Sequence, residues 1–307
     1  MPMKVKIIKK FIKVGSLFWI INSYNFVLAS TPQVVVTIKP IYALTAGIME
    51  GIGKPYLLLQ GTESPHNYNL RPSQAKKLYS ADLLVWVGPS MEGFLEKIVG
   101  SLPDKELRLL EINNLTLLKV RHNEIWNVNS DEHLHNNINP HIWLDPQNAK
   151  IIVEAIAYRL NKLDPNNATN YLNNASKLII KLDNFDQILN QQLKSIKNIP
   201  YLVFHDAFQY FENRYELSAI GAVYVAPDSR LSAKRLSNLR KRIKLVRCLF
   251  TEPQFEPISA ITENSSVKQG ILDPLGVDLP LISDSYFTLL QNLANSLNKC
   301  LSIPLSK

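Results

Sequence analysis

Residues 171–205 read YLNNASKLIIKLDNFDQILNQQLKSIKNIPYLVFH, and two periodicities meet in them. Tyr171, Ala175, Leu178, Leu182, Phe185, Leu189, Leu193 and Ile196 recur at intervals of three and four, the spacing that lines one face of a helix. Neither glycine nor proline interrupts the run, so it predicts a single helix about 40 Å long at ~1.5 Å per residue. Directly after Pro200 the run YLVF reads as a buried strand, with His205 at its exit.

On either side of this helix, short apolar runs alternate with amphipathic segments. Upstream stand QVVVTI from Gln33, a helical stretch after Pro40, YLLL from Tyr56, ADLLVWVG from Ala81 and a helix near Met91 to Val99. Asp145 and Pro146 mark the N-cap and first position of a further helix through Ile151, Ile152, Ala155, Ile156 and Leu160. Downstream stand SAIGAVYV from Ser218, a basic helix over Ala233 to Ile243, RCLFT from Arg247, a helix from Pro257 and a last one over Ser285 to Leu297. The pattern predicts an α/β protein: a lobe over 30–166, a linker helix over 167–197 and a second lobe over 198–307. Within the first lobe, 113–139 breaks the rhythm as a polar, Asn-rich loop carrying His122, His133 and His135.

The first 29 residues combine Lys4, Lys6, Lys9, Lys10 and Lys13 with an apolar stretch from Val14 to Ile21 and the small-residue end Val27, Leu28, Ala29. This is the pattern of a cleaved signal peptide, with cleavage after Ala29. Of the net charge of +8, these five lysines carry five, so +3 remains for the mature chain. No basic block with interleaved aromatics survives there, and nucleic acid is set aside as a partner. Cys248 and Cys300 are the only cysteines, and in an oxidising compartment they are expected to pair. Neither lies near the signal peptide, so no lipid anchor is expected at the mature N-terminus.

Three of the six histidines stand where a strand gives way to a loop or helix: His66 in SPHNY, His141 in NPHIWLDP and His205 in VFHDAF. In open α/β sheets ligands sit beyond the carboxyl ends of strands. Three neutral imidazoles with a carboxylate or a water complete a tetrahedral zinc site, and Asp273 in the ILDPLG turn is the fourth candidate. Taken singly, each histidine reads first as a hydrogen-bonded structural residue; their shared placement in two lobes favours the metal. Asp131, Glu132, His133 and His135 form a weaker second cluster, which reads first as a solvated loop. HExxH and paired-cysteine motifs are absent.

The runs VVVTIKPIYALTAGIMEGIG, SPHNYNLRPSQAKKLYSADLLVWVGPSMEGFL, PHIWLDPQNAK, FHDAFQYFE, TEPQF and LDPLG, in this order, resemble the zinc-binding solute-binding proteins of ABC importers, of the ZnuA type. The resemblance implies two Rossmann-like lobes joined by one long rigid helix, with zinc held in the cleft between them by His66, His141 and His205. It implies a periplasmic monomer that hands the ion to an inner-membrane permease, and a disulfide between Cys248 and Cys300 as in some members. Pro65 stands where some zinc members carry an additional glutamate ligand, which leaves Asp273 or water for the fourth position. His205 stands where manganese-binding relatives often carry glutamate. A manganese or iron protein of the same importer family is the near alternative. A zinc hydrolase is the more distant one, with Glu63 and Asp206 as the acidic neighbours available for a general base; a surface adhesin also ranks low.

Overall fold

The computed structural model describes residues 31–102, 104–121, 126, 138–224, 232–255, 259–262 and 265–302. The signal peptide expected over 1–29 and the loop histidines His122, His133 and His135 lie outside the described residues. The described residues form one compact unit.

The first lobe is built on a parallel sheet of β1 (Val34–Val36), β2 (Tyr56–Leu57), β3 (Leu83–Trp86) and β4 (Glu106–Arg108), in the order β2-β1-β3-β4. The helices α1 (Lys39–Ile48), α2 (Pro72–Ser80), α3 (Glu96–Val99) and α4 (Pro146–Leu163) belong to it. Where the sequence predicts one helix from Met91 to Val99, a 3-10 turn at Gly93–Leu95 runs into the four residues of α3. Asp145 caps α4 as expected, its side chain accepting from Gln147 N at 2.9 Å.

The linker is α5 (Ala168–Leu193), flanked by 3-10 turns at Pro165–Asn167 and Lys194–Ile196. The second lobe repeats the first, with β5 (Tyr201–Val203), β6 (Ala219–Ala222), β7 (Cys248–Thr251) and β8 (Lys268–Ile271) in a parallel sheet of order β6-β5-β7-β8. Its helices are α6 (Gln209–Tyr215), α7 (Ala233–Arg242), α8 (Ser259–Thr262) and α9 (Ser285–Leu301).

Because successive strand residues face opposite ways, each sheet feeds two apolar layers. Val34, Val36, Leu83 and Val85 enter a core that continues through α1, α4, α5 and α9 into Tyr201, Val203 and Phe250 of the second lobe. Val35, Leu84 and Trp86 face an outer layer of the first lobe, and Leu202, Phe204 and Leu249 one of the second. The near-continuous apolar runs in the sequence are the signature of strands buried on both faces. A disulfide joins Cys248 on β7 to Cys300 on α9, with Cα atoms 6.2 Å apart.

Candidate metal centre

The three histidines reach one place, although His141, expected at a strand exit, follows directly on no strand among the described residues and is preceded only by the isolated bridge of Ile138 with Lys119. His66 lies on a 3-10 turn, Pro65–Asn67, beyond β2; Ser64 caps the turn, its Oγ accepting from His66 N at 3.3 Å. His141 precedes the 3-10 turn Ile142–Leu144 that leads into α4. His205 leaves β5, the first strand of the second lobe, where the strand order reverses and crevices open in doubly wound sheets. The ligand-capable atoms of the three rings lie within 4.8 Å of one another.

The outer nitrogens of two rings are occupied in a way that fixes the inner ones. His141 Nδ1 donates to Asn139 Oδ1 at 2.9 Å, and His205 Nδ1 donates to Glu252 Oε1 at 2.5 Å. An acceptor opposite Nδ1 requires the proton there, so in the neutral ring the lone pair is on Nε2. His141 Nε2 and His205 Nε2 then face each other at 3.3 Å. His66 Nε2 is buried without a hydrogen-bond partner, and the Ser90 backbone hydrogen-bonds the ring. Three lone pairs with no proton between them are unfavourable in an apolar pocket, and a cation among them removes the conflict. In a tetrahedral zinc site with bonds of about 2.0–2.1 Å, neighbouring nitrogens are roughly 3.3–3.4 Å apart.

Burial keeps the His66 and His141 rings neutral. Desolvation, reinforced by the proximity of His205, lowers His66 to about 3. Desolvation holds His141 well below its ordinary value, with the other two histidines acting in the same direction. Protons therefore do not compete for the nitrogens of these two rings near neutral pH. Burial pushes the Glu252 carboxyl up, against the pull of His205. The cavity is small, about 20 Å³, and Met91, Phe255, Pro274 and Leu275 supply apolar walls. It has room for an ion and a water, not for an organic substrate.

Asp273 is not among the clustered ligand atoms. Its Oδ1 accepts from Leu275 N and Gly276 N, each at 2.9 Å, and its Oδ2 from Val277 N at 2.7 Å. The acids next to the histidines are also engaged. Asp206 pairs with Arg121, which reaches Glu212 at 2.8 Å and lies 3.4 Å over the Trp126 ring, and Glu63 pairs with Arg71 at 3.2 Å. The local sequence does not single out Asn139 or Glu252. The usable signals are positional: Glu252 is the first residue past β7, beside β5, and Asn139 stands two residues before a ligand-like histidine.

A family model described as ZnuA, "Zinc-uptake complex component A periplasmic", matches residues 34–300. The high-affinity zinc uptake system protein ZnuA of Brucella suis biovar 1 (strain 1330) is 37% identical over 305 residues, covering 88% of this chain and 91% of that protein. The protein of the same name from Yersinia pestis is 35% identical over 301 residues, covering 91% and 93%. A crystal structure of ZnuA superposes with a TM-score of 0.72 at 26% identity, covering 87% of this chain and 99% of that one. The fold alone is shared with the protein FpvC of Pseudomonas aeruginosa in complex with Mn2+, at a TM-score of 0.76 and 20% identity, covering 89% and 99%.

Proposed function

Since the chain belongs to the ZnuA family of zinc-uptake components, we propose that it captures Zn2+ between its lobes and delivers it to the membrane permease of an ABC importer. The observation that carries this reading is the convergence of ring nitrogens of three histidines from two lobes, with His66 and His141 held neutral by burial. In this reading His66, His141 and His205 are the ligands and water completes the tetrahedron. Asp273, the other candidate for that position, would have to give up three backbone amides to reach the ion. The ion is cargo, and transport needs no chemistry upon it.

The donor set also favours zinc over manganese. An all-imidazole set suits zinc, whereas a harder ion prefers carboxylate and water oxygens. Glu252 stands behind His205, where it orients the ring and fixes its tautomer. Export through the segment ending at Ala29, a periplasmic address and a monomeric state complete the proposal. That address is supported by the family description, and among the described residues no helix is long and apolar enough to cross a membrane.

The test is calorimetric titration of the metal-free mature chain with zinc and with manganese, beside a variant with His66, His141 and His205 all changed to alanine. One sub-micromolar zinc site, weak manganese binding and loss of both in the triple variant are expected. Manganese binding as tight as zinc would move the protein to the manganese branch, and zinc binding that survives the triple change would place the ion elsewhere.

A further inference from the structure

The segment that Asp273 organises does more than pass near the site. With both carboxylate oxygens on the amides of Leu275, Gly276 and Val277, and Gly276 at φ +66°, the chain after β8 is wound into a tight turn. Carbonyls of this second-lobe segment are taken by first-lobe donors. Trp143 Nε1 donates to Pro274 O at 2.8 Å, and Lys39 Nζ donates to Val277 O and, at 3.4 Å, to Leu279 O. Each of these donors belongs to a part of the first lobe that borders the metal centre. Trp143 is two residues beyond His141, and its ring lies 5.2 Å from the His141 ring. Lys39 opens α1 and shares a small cavity with Pro65, the neighbour of His66, and with Leu275 and Val277 of the turn.

Resting on the zinc-capture reading, we propose that the Asp273 turn is a latch: Lys39 and Trp143 hold this piece of the second lobe against the first, and the strength of that hold sets how fast zinc leaves. Asp273 acts through the turn it builds and not as a ligand. The Lys39 contact is the stronger of the two because an ammonium donating to carbonyls makes a charge-assisted bond. Opening the lobes separates His205 from His66 and His141, so the latch must break before the ion is released. A contact that merely packed the fold would change stability without changing the release rate of a protein that remains folded.

The experiment uses the mature chain loaded with zinc or with cobalt as a spectroscopic stand-in. Zinc release into excess chelator is followed by stopped flow in wild type, Lys39→Met and Lys39→Arg, together with the cobalt visible absorption of each. Lys39→Met is expected to release zinc roughly tenfold faster, as loss of one charge-assisted bond implies, with an unchanged cobalt spectrum because the imidazoles are untouched. Lys39→Arg, which keeps donors in place, should restore slow release. Trp143→Phe loses the second hydrogen bond together with part of a buried ring; with a cobalt spectrum unchanged from wild type, which shows His141 undisturbed, it should also accelerate release and gives a second reading of the latch. Unchanged release in both Lys39→Met and Trp143→Phe, or a Lys39→Met cobalt spectrum that differs from wild type, would overturn the proposal. His66→Ala measured alongside separates the two levels: if it leaves the cobalt spectrum intact, the site assignment fails, whereas unchanged release with a His66-dependent spectrum sinks the latch alone.

Discussion

The behaviour of a metal-binding histidine is decided by the atom on the far side of its ring. His205 has a carboxylate there and His141 a carboxamide, at 2.5 and 2.9 Å. Glu252→Gln keeps an acceptor but replaces the carboxylate opposite His205 Nδ1 with a weaker, neutral one. Zinc affinity, measured by competition with a chromophoric chelator, should fall on the order of 10- to 100-fold; an unchanged affinity would make Glu252 a packing residue only. A second buried acid, Glu92, takes no part in the site. It accepts from Thr37 Oγ1 at 2.6 Å, Val87 N at 3.2 Å and Gly88 N at 3.0 Å, and burial raises it from 4.5 to about 7. Between those two values the folded state keeps a proton that the unfolded chain has released. Its stabilisation is therefore complete below pH 4.5 and is lost as pH rises through 7. Glu92→Gln removes this titration, so the stability of wild type relative to the variant should drop between pH 4.5 and 8 by on the order of 3 kcal/mol. Urea unfolding of both metal-free proteins across that range checks the sign. At this scale the histidines were legible because His66 and His205 follow apolar runs and His141 stands just ahead of a capped helix, but their supports were not. Asn139 and Glu252 are brought to the rings by tertiary packing, and a single polar residue carries no mark of which ring it will meet.

Elements were legible in proportion to how deeply they are buried. The runs around Val34–Val36, Leu83–Trp86 and Tyr201–Val203 announce strands because both faces are covered. The edge strands β4 and β8 do not: ELR and KQGI are polar and half-buried or exposed, and it is pairing with β3 and β7 that makes them strands. The close approach of α1 to the chain ahead of α9 was likewise invisible. At Gly47 a Cβ would lie 2.5 Å from Ser283 Oγ and 3.3 Å from Leu178 Cδ2. Gly47→Ala should therefore lower the thermal midpoint despite alanine's better helix propensity. A midpoint that rises would mean that Ser283 swings aside without cost. The disulfide ties β7 to α9 across 52 residues, and on the chain-entropy estimate its loss costs roughly 4 kcal/mol. Chemical denaturation of the Cys248→Ala, Cys300→Ala double variant measures it.

In the whole molecule, one apolar core passes through both lobes by way of α1, α4, α5 and α9, so the lobes are not free to unfold separately. The long helix was readable from its period alone, but the shared core was not, because a helix with an apolar stripe does not state how many partners the stripe has. This core and the two-lobed site together make a prediction about ligand linkage. A ligand that binds only the folded state stabilises it by RT ln(1 + [L]/Kd), about 2.7 kcal/mol at a hundredfold excess over Kd. If the ion is held by His66 and His141 from the first lobe and His205 from the second, that stabilisation must be felt on both sides of the cleft. Hydrogen exchange should show slower amide exchange in β3 and in β7 when zinc is added, by similar free energies, and neither change in the triple histidine variant. Slowing of both strands is what one shared core with an ion bound to the folded state requires; slowing confined to β3 would mean both that the lobes open separately and that the ion is carried by the first lobe alone.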